Sequence, residues 1–128
     1  MESEVARLAA NKYVLVTTYR KNGTPVSTPM WVVRDGEGLA VWSAVDTFKV
    51  KRIRNNPAVR LAPCDIRGNP KGEEVAATAE LMDAAGTGRV RRLIAGRFPV
   101  TGRLVMLGSR LRRGTDATVG IALTVTDG

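Results

Sequence analysis

Histidine is absent from the 128-residue chain, cysteine occurs once, and aromatic residues make up only 5% of it. Without histidine there is no Ser-His-Asp or Cys-His nucleophile, no histidine general base, and no His-ligated zinc or haem. Cys64 has no partner for an internal disulfide and lies in an apolar stretch, so it reads as a small core filler rather than a nucleophile. So few aromatics leave few platforms on which nucleic-acid bases would stack. No apolar run approaches the roughly 18 residues of a spanning helix. A Gly-x-Gly-x-x-Gly loop, a Walker-type loop and an evident catalytic carboxylate pair are also missing. The first residues lack the basic, then apolar, then small-residue order of a secretory signal, which makes the cytoplasm the expected compartment.

Positive charge is plentiful. Twenty Lys and Arg against twelve Asp and Glu give a net charge of +8 and a pI near 10.6, a field that concentrates anionic ligands. The sign alone leaves nucleic acid, acidic lipid, phosphate-bearing cofactors and polyglutamate tails open. The length is that of one domain, residues 1–128, able to hide roughly two thirds of its unfolded surface. No repeat, low-complexity tract or linker divides it.

Ser3 is placed to cap a short amphipathic helix through about Ala10, with Val5, Leu8 and Ala9 on one face. Tyr13 to Tyr19 is a β-branched and aromatic strand ending at Lys21-Asn22-Gly23, where Asn-Gly suits a tight hairpin. Strand two runs from Thr24 to about Arg34, and strand three from Leu39 to Ser43 after Asp35-Gly36-Glu37-Gly38. Asp46 or Thr47 caps a helix that Asn56-Pro57 stops. Strands four (Ala58 to about Ile66) and five (Glu73 to Met82) form a long hairpin, Ala84 to Phe98 and Gly102 to Arg113 are helical, and Ala117 to Thr126 is strand six. The order lacks the alternating βα units of a doubly wound sheet. It predicts a mainly β fold with a few helices, a six-stranded antiparallel barrel, closed or partly closed.

Two segments carry candidate chemistry. In strand two, Pro25 and Pro29 point to the same face and donate no N–H. Proline is confined to edges, strand starts and bulges. This stretch is therefore either an edge guarded against aggregation or a strand whose free backbone at Thr28 and Met30 can hydrogen-bond a planar heterocycle. Trp31 reads as a core or interface anchor or as a ring-stacking partner. In the second segment, Asp46 to Arg54, Lys49 sits in the first turn of a helix, where positive charge is unfavourable unless an anion joins it. The helix N–H groups, the Thr47 hydroxyl and Lys49 together form a phosphate cradle; the competing reading is a solvated basic face. Lys51, Arg52 and Arg54 read as surface charges. So do Arg89, Arg91, Arg92, Arg110, Arg112 and Arg113, several of which could also pair across a dimer contact, with binding of an acidic tail or a nucleic-acid backbone as the alternative.

The order and spacing of Tyr13 to Thr18, Asn22 to Trp31 and Lys49 to Pro57, with Leu61 to Asp65 and Gly72-Glu73, resemble the pyridoxamine-phosphate-oxidase-like superfamily. Within it the chain is most similar to the actinobacterial F420-dependent oxidoreductase branch. The resemblance implies an FMN-binding-type split β-barrel, a homodimer with cofactor sites in clefts at the subunit interface. It assigns the cofactor phosphate to Ser43, Thr47 and Lys49, with Lys51 nearby, and lays the backbone of Thr28-Pro29-Met30, beside Trp31, along the ring. It implies coenzyme F420, or FMN, and hydride transfer to a small electron-poor substrate such as an enone or quinone-like acceptor. The cofactor then carries the reaction and no catalytic side chain is named. Two other classes compete: a non-catalytic binder of F420, FMN, biliverdin or haem, and a nucleic-acid-binding barrel, for which no recognisable motif is present.

Overall fold

Hydrophobic alternation shapes the first strand. In β1 (Tyr13–Tyr19), Val14 and Val16 are buried on one face while Tyr13 and Leu15, on the other, stay partly exposed. The structure, a computed structural model, describes residues 3–45, 47–98 and 118–126. A turn at Asn22-Gly23, with Gly23 at φ 88°, sends the chain back as β2 (Pro25–Trp31) in antiparallel register, Tyr19 opposite Pro25 and Tyr13 opposite Trp31. Then come β3 (Val33–Asp35), β4 (Gly38–Ala44), β5 (Ala58–Cys64), β6 (Val75–Leu81) and β7 (Thr118–Val125). All pair antiparallel in one curled sheet of order β2-β1-β5-β6-β7-β4-β3.

The described residues therefore hold seven strands, not the expected six. The segment expected as one strand from Thr24 to Arg34 divides at Val32, whose N–H donates to Lys12 O at 3.1 Å. Before it the chain pairs with β1, and after it with β4, so β2 and β3 form opposite edges of the sheet while remaining consecutive in sequence. The sheet curls because its two edges share this covalent link, which gives the split-barrel architecture. The fourth and fifth strands are shorter than expected, leaving a longer connection tied by the Asp65 turn.

Two apolar clusters hold the layers together. The barrel interior contains Val14, Val16, Val32, Leu39, Val41, Leu61, Ile121 and Leu123, each at most 2% exposed. Each such side chain contributes on the order of 1.5–3 kcal/mol. Helix α1 (Glu4–Ala9), capped by Ser3 Oγ accepting from Ala6 N, adds Leu8 to this core. Helix α2 (Phe48–Asn55) adds Val50 and Ile53. Helix α3 (Ala84–Arg97), capped by Asp83, lies on the outer face over β3, β4 and β7 with Val90 and Ile94 against Val33 and Ala40. Its approach to β7 is close: a Cβ on Gly120 would sit 3.3 Å from Thr87 Cα and 2.9 Å from Met82 Sδ. The helix expected at Gly102 to Arg113, and with it Arg110, Arg112 and Arg113, lies outside the described residues. Among the others, Arg89 pairs bidentately with Asp35 at 2.8 and 3.1 Å, fastening α3 to β3.

Candidate functional site

Strand β2 pairs only with β1 among the described residues, and its hydrogen-bond phase can be read from both ends. Arg20 N donates to Thr24 O at the turn, and Val32 N donates to Lys12 O at the far end. Both are even positions of β2 and its flanks, so Val26, Thr28 and Met30 direct their backbone at β1. The prolines occupy the other phase, where a missing N–H costs the ladder nothing. The free edge thus presents the N–H groups of Ser27 and Trp31 and the carbonyls of Pro25, Ser27, Pro29 and Trp31. This corrects the expectation that Thr28 and Met30 carry the free backbone. Their side chains share the inner face, with Met30 in the barrel core. On the outer face, Ser27 Oγ lies 2.8 Å from Thr17 Oγ1, and Trp31 stacks on Phe98 at 4.8 Å between centroids and 14° between planes.

The turn from β4 into α2 brings Ser43 and Thr47 together. Their hydroxyls are 3.3 Å apart, and both donate to Ala44 O at 3.1 Å. Thr47 takes the cap position as expected, but its hydroxyl folds back on this carbonyl and makes no cap bond to α2. Among the described residues the first N–H groups of the helix therefore have no side-chain acceptor, and no acidic residue stands in the first turn. Lys49 is half-buried there, its pKa pushed below the ordinary lysine value by burial and then by Arg52.

Arg52, read from the sequence as a surface charge, belongs to the site. Its Nε donates to Thr18 Oγ1 at 2.7 Å, and its own pKa is lowered by burial and then by Arg20. The contact joins α2 to β1 at Thr18, which stands opposite Val26 of β2 in the register. The ion pairs of the described residues do not include Arg20, Lys49 or Arg52. Among the described residues, three cations thus gather where α2 covers the barrel mouth, and none of the described ion pairs engages them. Helical spacing carries the signal for Arg52, because positions 49 and 52 share a face. Lys51 does not share it: exposed, it places Nζ 5.2 Å from the Phe48 ring centroid. Trp31 lies at the other end of β2, five residues or about 17 Å from Val26. Cys64 is 2% exposed with its thiol pushed up by burial, in keeping with a filler.

The family model for pyridoxamine 5'-phosphate oxidase matches residues 1–98. An F420 reductase is 21% identical, with a TM-score of 0.59, over 99% of this chain and 97% of that one. HutZ, a haem storage protein from Vibrio cholerae, is 18% identical with a TM-score of 0.70, over 92% and 84%. A FAD-binding protein from Mesorhizobium loti is 16% identical with a TM-score of 0.57, over 94% and 83%. At these identities the likeness is one of fold. No curated protein matches the chain in sequence.

Proposed function

Because the chain belongs to the pyridoxamine 5'-phosphate oxidase family, we propose that it is a cytoplasmic, homodimeric oxidoreductase that uses a phosphorylated flavin-type cofactor, coenzyme F420 in preference to FMN. The observation that carries this reading is the uncompensated mouth: Lys49 and Arg52 beside an uncapped helix start. A phosphate fits there, because it would accept from the first N–H groups of α2 and balance Lys49 and Arg52, which no described side chain does. Lys49 and the first N–H groups of α2 hold it, while Arg52, fixed by Thr18, completes the positive field. The free edge of β2 runs from this mouth to Trp31 and offers the Ser27 and Trp31 N–H groups to a planar ring. Bound and reduced, F420 supplies a hydride from C5 to an electron-poor double bond of a small enone or quinone-like acceptor. The protein positions the cofactor and shapes its electrostatics, and the proton comes from solvent. The F420 reductase among the structural neighbours supports the choice of cofactor, and the lack of histidine weighs against haem.

Fluorescence titration with F420 and with FMN tests the reading. Lys49→Ala is expected to weaken binding by about tenfold or more, the scale of one lost hydrogen bond to a charged group. Lys51→Ala is expected to leave it unchanged. Equal affinity in the Lys49 variant overturns the phosphate role, and absence of binding by either cofactor at micromolar concentration overturns the cofactor reading.

A further inference from the structure

The outer face carries a second concavity at the opposite end of β1 from Thr18, about 17 Å along the strand. It is a groove of about 500 Å³ between the α1–β1 connection and the β5–β6 connection. Its lining includes Lys12, Tyr13, Cys64, Ile66 and Lys71. A hollow of about 410 Å³ adjoins it through Asn11 and Lys71. These sizes fall within the roughly 300–1,000 Å³ of small-molecule sites.

Both walls are fixed before any ligand arrives. On one side, Asp65 accepts from Arg67 N and Asn69 N at 2.9 Å and from Asn69 Nδ2 at 3.0 Å, and Lys71 N donates to Pro63 O at 2.7 Å. On the other, Asn11 O accepts from Arg97 at 2.7 Å, and Asn11 Nδ2 donates to Arg7 O at 3.0 Å. Tyr13 and Cys64 are register partners, so their side chains share the face that forms the floor.

Charge and polarity select the occupant. The ion pairs of the described residues include neither Lys12 nor Lys71. The Asp65 carboxylate faces the three donors of its own turn, which together with the Lys71 charge hold its pKa down, and Lys12 and Lys71 outnumber this one carboxylate in the lining of the groove. Ile66 is 67% exposed on this rigid turn, an apolar lip that gains from being covered. We propose that the groove binds a small aromatic carboxylate, its carboxylate facing Lys12 and Lys71 and its ring between Tyr13 and Ile66. The site stands apart from the barrel mouth and does not rest on the cofactor reading.

The test is a titration of the ¹⁵N-labelled full chain with 1-naphthoate, followed by amide shifts, with 1-naphthalenemethanol as the neutral comparison. Saturable shifts are expected at residues 10–13 and 64–71. A Lys12→Gln/Lys71→Gln double variant should weaken binding about tenfold, and the neutral alcohol should bind about fivefold more weakly than the acid. Ile66→Ala, an exposed change that spares the core, should weaken it about threefold. The proposal is overturned by shifts that do not saturate up to about 5 mM, by shifts confined to the α2 mouth, or by equal affinity for the acid and the alcohol. Unchanged affinity in the double variant overturns it as well.

Discussion

Lys49 and Arg52 illustrate what a single residue in this site does and when. Burial and the Arg52 charge depress Lys49, so between its lowered native pKa and 10.5 the unfolded chain binds more protons than the folded one. Stability of the ligand-free protein therefore rises with pH through that window. Urea midpoints measured from neutral pH to pH 10.5 are expected to show this rise in the native chain and to lose it in Lys49→Met. A bound phosphate restores the lysine proton, so cofactor affinity moves the opposite way and falls as pH climbs past the ligand-free pKa. The first-turn position of Lys49, from which the proposed phosphate role is argued, was legible in the sequence. The choice of Arg52 over Lys51 was not made, because the basic run was read as one solvated face rather than sorted by helical angle. The Thr47 hydroxyl could not be placed from sequence either: whether it caps the helix or bonds Ala44 O depends on a turn geometry that residue type does not fix.

At the scale of elements, strand and helix positions followed closely from periodicity and punctuation. β1 runs from Tyr13 to Tyr19 as expected, α2 starts after Thr47, one of the two caps expected, and α3 starts at Ala84 as expected. The division at Val32 escaped for a physical reason. Met30 and Val32 face the barrel interior while Trp31 and Val33 face outward, so alternation runs unbroken as the strand exchanges β1 for β4. Periodicity reports which face a residue takes and not which neighbour it pairs with. Gly120 was equally silent, since only the approach of α3 makes its missing Cβ matter. Gly120→Ala is expected to destabilise the protein by about 1–3 kcal/mol, because even after Met82 Sδ turns aside the new Cβ is crowded by Val90 Cγ2 at 3.2 Å and Thr87 Cα at 3.3 Å. Chemical denaturation checks this, and an unchanged midpoint would show that α3 rides more loosely on β7.

For the molecule as a whole, the two proposed sites would give part of the positive charge a local use, Lys49 and Arg52 at the mouth and Lys12 and Lys71 on the groove. The proposed dimer is the piece that no single chain displays. Sedimentation at micromolar concentration is expected to give a species of twice the 13.8 kDa chain mass, and a purely monomeric boundary would remove the interfacial cleft from the model of function. Fold class was legible because strands, turns and the missing βα alternation constrain it. The proposed cofactor rests on resemblance, since the residues proposed to hold a phosphate are chemically indifferent to what the phosphate carries.

The place of β7 in the sheet bears on the order in which the protein is made. It is the last strand in sequence, yet it lies between β6 and β4, and Leu39 must wait for Leu123 before its ladder is complete. During synthesis β1, β2, β5 and β6 can pair as they emerge, while the β3–β4 hairpin has no inner neighbour. Such long-range pairing slows folding and prolongs the exposure of an open edge. A nascent chain stalled with β7 still inside the ribosomal tunnel is expected to leave β4 open to proteases and holding chaperones, and emergence of β7 to let the barrel shut.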